Sequence, residues 1–198
     1  MKKGLMIGLM GAMTLVACNQ EKEKVEDQFN YTVEQFADLQ LLRFKVHGFE
    51  ELPLKQKELV YYLSEAALQG RDILFDQNGK YNLIIRKMLE VVYTDYQGDR
   101  SDANFKNFET YLKRVWFSNG IHHHYAADKF VPGFTPEFFK SALESVDASK
   151  LPLMEGETLD ALCEEVFPVI FDAKVMAKRV NQADGEDLVL TSASNYYE

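Results

Sequence analysis

The sequence predicts an α+β fold, predominantly α-helical with a few short strands, and three observations carry that expectation. Apolar residues recur mostly at intervals of three and four, which places them on one face of a helix. Only residues 39–46 and 188–190 carry the alternating or short apolar pattern of a strand. Turn and cap signals divide the remainder into segments of ordinary helix length.

The chain opens with Lys2 and Lys3 ahead of an uncharged, mostly apolar run over residues 4–16. Charge followed by an apolar core is the order that export requires, and the run is shorter than the roughly 20 residues with which a helix crosses a bilayer. Residues 1–17 therefore read as a signal peptide. They lead into Leu15-Val16-Ala17-Cys18, which resembles the lipobox of bacterial lipoproteins, where small residues admit a peptidase before a cysteine whose sulfur carries a diacylglycerol. The expectation is lipidation at Cys18, and two acyl chains suffice for stable membrane anchoring. Residues 18–30, with Glu21-Lys22-Glu23-Lys24 and Glu26-Asp27, hold few apolar side chains and read as a flexible tether. Asn19 stands where, in the lipoprotein pattern, an aspartate would favour inner-membrane retention. An outer-membrane anchor, with the protein facing the periplasm or the surface, follows as the expectation.

Residues 31–198 read as one mostly helical domain, and 46% hydrophobic with 13% aromatic residues is enough to bury a core. Leu42, Phe44 and Val46 alternate with charged residues and suggest a short strand, whereas Val33-Glu34-Gln35-Phe36 looks helical. After Pro53, Leu59, Val60, Leu63, Ala66 and Ala67 form a helical stripe, and Gly70 marks a break. Asp76-Gln77-Asn78-Gly79 is a turn signal. Beyond it Tyr81, Ile84, Ile85, Met88 and Val92 predict a second helix packed against the first. A polar turn over residues 95–102 precedes a stripe of Phe105, Phe108, Leu112 and Val115. Thr135-Pro136-Glu137 combines an N-cap, a first-turn proline and an acid at the positive end of a helix running to about Val146. Leu159, Leu162, Cys163, Val166 and Ile170 predict a last helix that Pro168 kinks or ends.

Removal of residues 1–17 takes away Lys2 and Lys3 and no acid, leaving 20 basic against 31 acidic residues and a formal net charge of −11. That balance argues against nucleic acid as a partner. Cys163 sits on an apolar stripe and reads as core; with Cys18 lipidated, no intramolecular disulfide can form. His122-His123-His124 offers imidazoles, the commonest transition-metal ligands. Adjacent strand residues point to opposite faces, a helix would spread all three, and His47 is the only other histidine. The run therefore reads as a loop or cleft-lining segment, and no metal or other cofactor is expected on this chain. H-E-x-x-H, a glycine-rich phosphate loop, a G-x-S-x-G elbow and a calcium loop are all absent from the sequence. Trp116, Phe117, Tyr125, Phe130 and Phe134 flank Ser118-Asn119-Gly120, which suits either a groove for peptide or sugar or core packing beside a loop.

Three stretches carry a family resemblance: Lys55-Gln56-Lys57-Glu58-Leu59-Val60-Tyr61-Tyr62-Leu63-Ser64-Glu65-Ala66-Ala67; Ser118-Asn119-Gly120 through Asp128-Lys129-Phe130-Val131-Pro132; and Ser192-Ala193-Ser194-Asn195-Tyr196-Tyr197. With them the chain from about Phe29 onward resembles the N-terminal part of dipeptidyl-peptidase III, in its forms from Bacteroides-like bacteria. The resemblance implies a two-lobed exopeptidase that releases N-terminal dipeptides from oligopeptides, with zinc held by an H-E-x-x-G-H helix and a later glutamate. That helix does not occur in these 198 residues, so the resemblance puts no catalytic or metal-binding role on any of them. It implies part of the lower lobe, inactive without a C-terminal portion, and sets Asn119, His122, His123, His124 and Tyr125 on a loop facing the substrate cleft. A different expectation is an envelope lipoprotein that binds peptide or glycan through its aromatic 116–134 region.

Overall fold

The structure, a computed structural model, describes residues 29–179. The leader, Cys18, most of the tether and the 188–190 and 192–197 segments lie outside the described residues. The described chain is α+β and mostly helical, as the periodicity predicts.

Strand pairing starts earlier than the alternation at Leu42, Phe44 and Val46 suggests. Strand β1 (Thr32–Phe36) and strand β2 (Leu39–Leu42) form an antiparallel hairpin with Phe36 opposite Leu39. The helical look of residues 33–36 is therefore overturned. Ala37, at φ 48°, supplies the left-handed residue that a tight hairpin needs. Two ion pairs from a distant helix fix the hairpin: Lys113 Nζ to Glu34 Oε1 at 2.5 Å, and Arg114 Nη2 to Asp38 Oδ1 at 2.7 Å. Thr32, Val33 and Phe36 are β-branched or aromatic, and pairing with β2 suits them.

Six helices follow: α1 (Leu54–Gln69), α2 (Arg71–Asn78), α3 (Asn82–Asp95), α4 (Ala103–Ser118), α5 (Pro136–Glu144) and α6 (Leu159–Phe171). Helix α1 buries none of its residues. Its consecutive apolar residues Leu59, Val60, Tyr61, Tyr62 and Leu63 advance by about 100° each, so they run right round the axis, and all are exposed. The expected packing of α1 on the second long helix is not formed; α2 lies between them, packing on α3 while α1 meets α2 at the Gly70 junction.

The core belongs to α3–α6. Helix α3 buries Ile85, Met88, Leu89 and Val92, and α4 buries the predicted Phe105, Phe108, Leu112 and Val115 with Tyr111 beside them. Asp102, Thr135 and Thr158 cap α4, α5 and α6 by accepting from the amides of Asn104, Phe138 and Ala161. Pro168 does not end α6 at its own position: the helix runs on to Phe171, where the Asp172 N–H returns to the Pro168 carbonyl at 3.0 Å. Phenylalanines join the helices: Phe108 meets Phe134 at 5.5 Å, Phe134 meets Phe171 at 5.6 Å, and Phe139 stacks on Phe167 at 5.6 Å. Cys163 lies in this core, where burial pushes its thiol pKa up and keeps it inert.

Among the buried polar atoms that lack a hydrogen-bond partner in the described residues, one lies in the phenylalanine-rich core. The Tyr111 hydroxyl is buried without a protein partner, and burial pushes its pKa well above the usual phenol value. Leaving such a group unpaired costs about 1–3 kcal/mol. Tyr111→Phe is therefore expected to raise the urea midpoint of unfolding by the equivalent of about 1 kcal/mol.

Candidate functional site

The 118–130 loop is built outward from the end of α4. Asn119, at φ 52°, takes the left-handed conformation that terminates a helix, and the Gly120 N–H returns to the Val115 carbonyl at 3.1 Å. Two asparagines, from the end of α2 and the start of α3, then hold the turn. Asn82 Oδ1 accepts from the Ile121 N–H at 3.1 Å, and Asn78 Nδ2 donates to the Asn119 carbonyl at 3.2 Å. Asn82 is buried between Gly79 and Gly120, and a Cβ on Gly120 would collide with its amide. Glycine is required there by that close approach.

Beyond Ile121 the chain doubles back on itself. Phe130 N–H donates to Ile121 O at 2.8 Å, His123 N–H to Asp128 O at 2.8 Å, and Ala127 N–H to His123 O at 3.0 Å. A strap over residues 172–179 seals the underside. Lys129 N–H donates to Ala177 O at 3.0 Å and Arg179 N–H to Ala127 O at 2.9 Å. The Lys129 ammonium gathers the carbonyls of Val169 at 2.9 Å, Val175 at 2.6 Å and Asp172. A cation at the carbonyl end of α6 also meets the negative pole of that helix. Burial holds the Lys129 pKa below the ordinary lysine value, while the Asp172 carboxylate opposes the shift.

The three histidines take three different roles. His122 is 3% exposed and turns inward, with Nε2 at 2.7 Å from the Met176 carbonyl. That geometry requires Nε2–H as donor, which leaves Nδ1 as a buried acceptor without a partner. Burial lowers its pKa, the hydrogen bond to Met176 opposes the shift, and the charges of Lys129 and Arg179 reinforce it. His123 accepts the Tyr125 and Ala126 amides on Nδ1 at 3.2 and 3.0 Å, so its neutral form carries the proton on Nε2. His124 stacks on His123 at 4.4 Å, meets Phe117 edge-on at 4.9 Å, and holds Nδ1 at 3.4 Å from Ser118 Oγ. Burial and the neighbouring His123 lower the His124 pKa, against the pull of Asp38.

The sequence places Asn119, His122, His123, His124 and Tyr125 together as a lining segment, and the structure divides them. His122 belongs to the interior, Asn119 is half-buried, and His123, His124 and the 87% exposed Tyr125 form a ring-faced surface with Phe117. Phe130 and Phe134 are core, and Trp116 donates its indole N–H to Glu90 Oε1 at 2.8 Å. Among the described residues no group of three or more His, Cys, Asp or Glu side chains converges on a point that could hold a metal ion. His122 spends Nε2 on the Met176 carbonyl and its Nδ1 is buried, while His123 spends Nδ1 on two backbone amides, so these residues do not fit the zinc of the resembled family. A groove of about 300 Å³ lined by Lys87, Glu90, Thr94, Asp95 and Lys150 lies apart from the loop residues. Sequence reasoning overlooks Asn82 and the Lys129 ammonium clamp, since each acts on a segment about 40 positions away and leaves no local pattern.

No protein-family model and no curated protein matches this chain. Among the described residues no helix is long and apolar enough to cross a membrane.

Two outcomes test the construction of the loop. Asn82→Ala orphans the Ile121 N–H and is expected to cost about 1–3 kcal/mol, with faster amide exchange at Ile121 and Gly120. His122 is neutral in the fold with a lowered pKa, whereas in the unfolded chain it titrates near 6.5, so the unfolded state takes the proton first as pH falls. Its contribution is complete above about pH 6.5 and is lost on acidification toward the folded pKa. Urea midpoints at pH 7.5 and 5.5 should differ less in His122→Gln than in the parent protein.

Proposed function

We propose that the chain is the N-terminal, lower-lobe portion of a dipeptidyl-peptidase III-like zinc exopeptidase, held at the outer membrane through a lipid on Cys18. The observation that carries this reading is the state of α1. The stretch Lys55–Ala67, which bears the family resemblance, is the helix whose apolar side chains are exposed on every side. An apolar helix stripe left uncovered is a surface suited to packing against further protein. Exposed Leu42, Phe44 and Val46 next to the hairpin extend the same uncovered region. In this reading peptide substrate and zinc are bound with residues supplied outside these 198, and the loop carrying His123, His124 and Tyr125 borders the cleft. No step of the hydrolysis is assigned to a residue of this chain.

A second reading rests on the ring-faced surface. Phe117, His123, His124 and Tyr125 offer stacking faces for a peptide or a glycan without any catalytic group.

The purified chain alone is expected to release no dipeptide from an oligopeptide and to keep no zinc after dialysis; chelator-sensitive release would overturn its inactivity. The coding sequence downstream of Glu198 should encode H-E-x-x-G-H, and its absence there would sink the peptidase reading. Incorporation of labelled palmitate should vanish in Cys18→Ser, together with recovery in the membrane fraction. Saturable binding of a peptide or glycan, abolished by Tyr125→Ala, would favour the second reading instead.

A further inference from the structure

The strap over residues 172–179 is held by polar ties more than by burial. Val175 and Met176 are half-buried and the rest of it is exposed. It meets the histidine-bearing loop through two backbone bonds, Lys129 N–H to Ala177 O and Arg179 N–H to Ala127 O, and through the exposed ion pair of Lys178 with Asp128 at 3.3 Å. Met176, at φ 48°, holds a left-handed conformation that costs energy in a residue with a side chain. A segment with few buried apolar contacts is drawn from the part of a fold that opens most readily.

Two side chains of the loop close the strap from within. Lys129 gives its ammonium to the carbonyls of Asp172 and Val175, and His122 gives Nε2–H to the carbonyl of Met176, the strained residue itself. The histidine tie differs from the lysine tie in carrying a second nitrogen, Nδ1, that is buried without a partner. A proton there creates a buried cation and an unsatisfied donor. The charged groups about the ring do not offset that cation. Lys129, on the returning arm of the loop, and Arg179, on the strap, both repel it, while the carboxylates of the same two segments, Asp172 and Asp128, answer Lys129 and Lys178.

We infer that His122 is the catch of an acid-released latch: the strap lies closed on the loop while the imidazole is neutral, and protonation of His122 detaches residues 172–179 from residues 121–129. Release brings the ring to water and leaves the loop that presents His123, His124 and Tyr125 without its underside. Open, the ring titrates near the ordinary value of about 6.5; closed, burial holds its pKa lower, against the pull of the bond to Met176. The closed form is therefore complete above about pH 6.5 and gives way as pH falls below it. The latch depends on neither reading of the function, since the strap and the loop are all it uses.

Amide exchange followed by NMR on the full chain tests the latch, with the Lys129 and Arg179 amides reporting on the strap and those of Met88 and Leu112 on the core. The open-to-closed ratio read at Lys129 and Arg179 is expected to rise about tenfold from pH 7.5 to pH 5.5 in the parent protein, and to stay level in His122→Gln, whose carboxamide still donates to Met176. Low urea should leave exchange at Lys129 and Arg179 unchanged while speeding it at Met88 and Leu112, as a local opening requires. A ratio that does not respond to pH in the parent protein overturns the inference, whether or not His122→Gln folds. An equal pH response in the parent and in His122→Gln overturns it as well. So does exchange at all four amides with one protection factor and one urea dependence, because the opening is then global unfolding.

Discussion

The carboxamide of Asn82 holds the Ile121 N–H from 39 positions away in the sequence, and the course of the histidine-bearing loop depends on that bond. It joins the start of α3 to the residue at which the chain leaves α4, so two helices and one loop share a buried polar contact. The close approach demands a glycine at position 120. Because the bond lies out of water, losing it exposes a bare amide to an apolar interior, which is why one side chain governs so much backbone. Everything from His122 to Phe130 inherits its direction from this point.

The loop is then clamped from below by charge. Lys129 gives its ammonium to carbonyls at the end of α6 and in the strap that follows, and His122 gives an imidazole N–H to Met176. Both groups are desolvated, and both have lowered pKa values for that reason. The arrangement lets the interior use polar groups as ties, with His123, His124 and Tyr125 left to present their rings outward. Exposed rings hold a defined arrangement best when the backbone that carries them is fixed elsewhere.

The molecule is unevenly finished. Helices α3–α6 bury a contiguous core rich in phenylalanine, whereas the hairpin and α1 bury no residue at all. A helix contributes stability by hiding one stripe, and among the described residues α1 leaves its stripe exposed. Its apolar residues are left uncovered by the described residues. That contrast, more than any single side chain, supports reading the chain as part of a larger assembly.

Much of the core was legible in the sequence because it depends on local periodicity. Phe105, Phe108, Leu112 and Val115, the Thr135 cap and the buried Cys163 all stand where spacing and capping chemistry put them. The same periodicity could not tell that the α1 stripe lacks a partner, since a stripe records what a helix can bury and not what is present to cover it. It suggested a strand over residues 39–46, which takes in β2, but it could not find β1 at residues 32–36 or the inward turn of His122. The sequence by itself determined the helices, their caps and the residues able to form a core. The tertiary structure alone decided which histidine is buried, which glycine is obligatory and which helix stays exposed, because those outcomes depend on contacts between residues far apart in the chain.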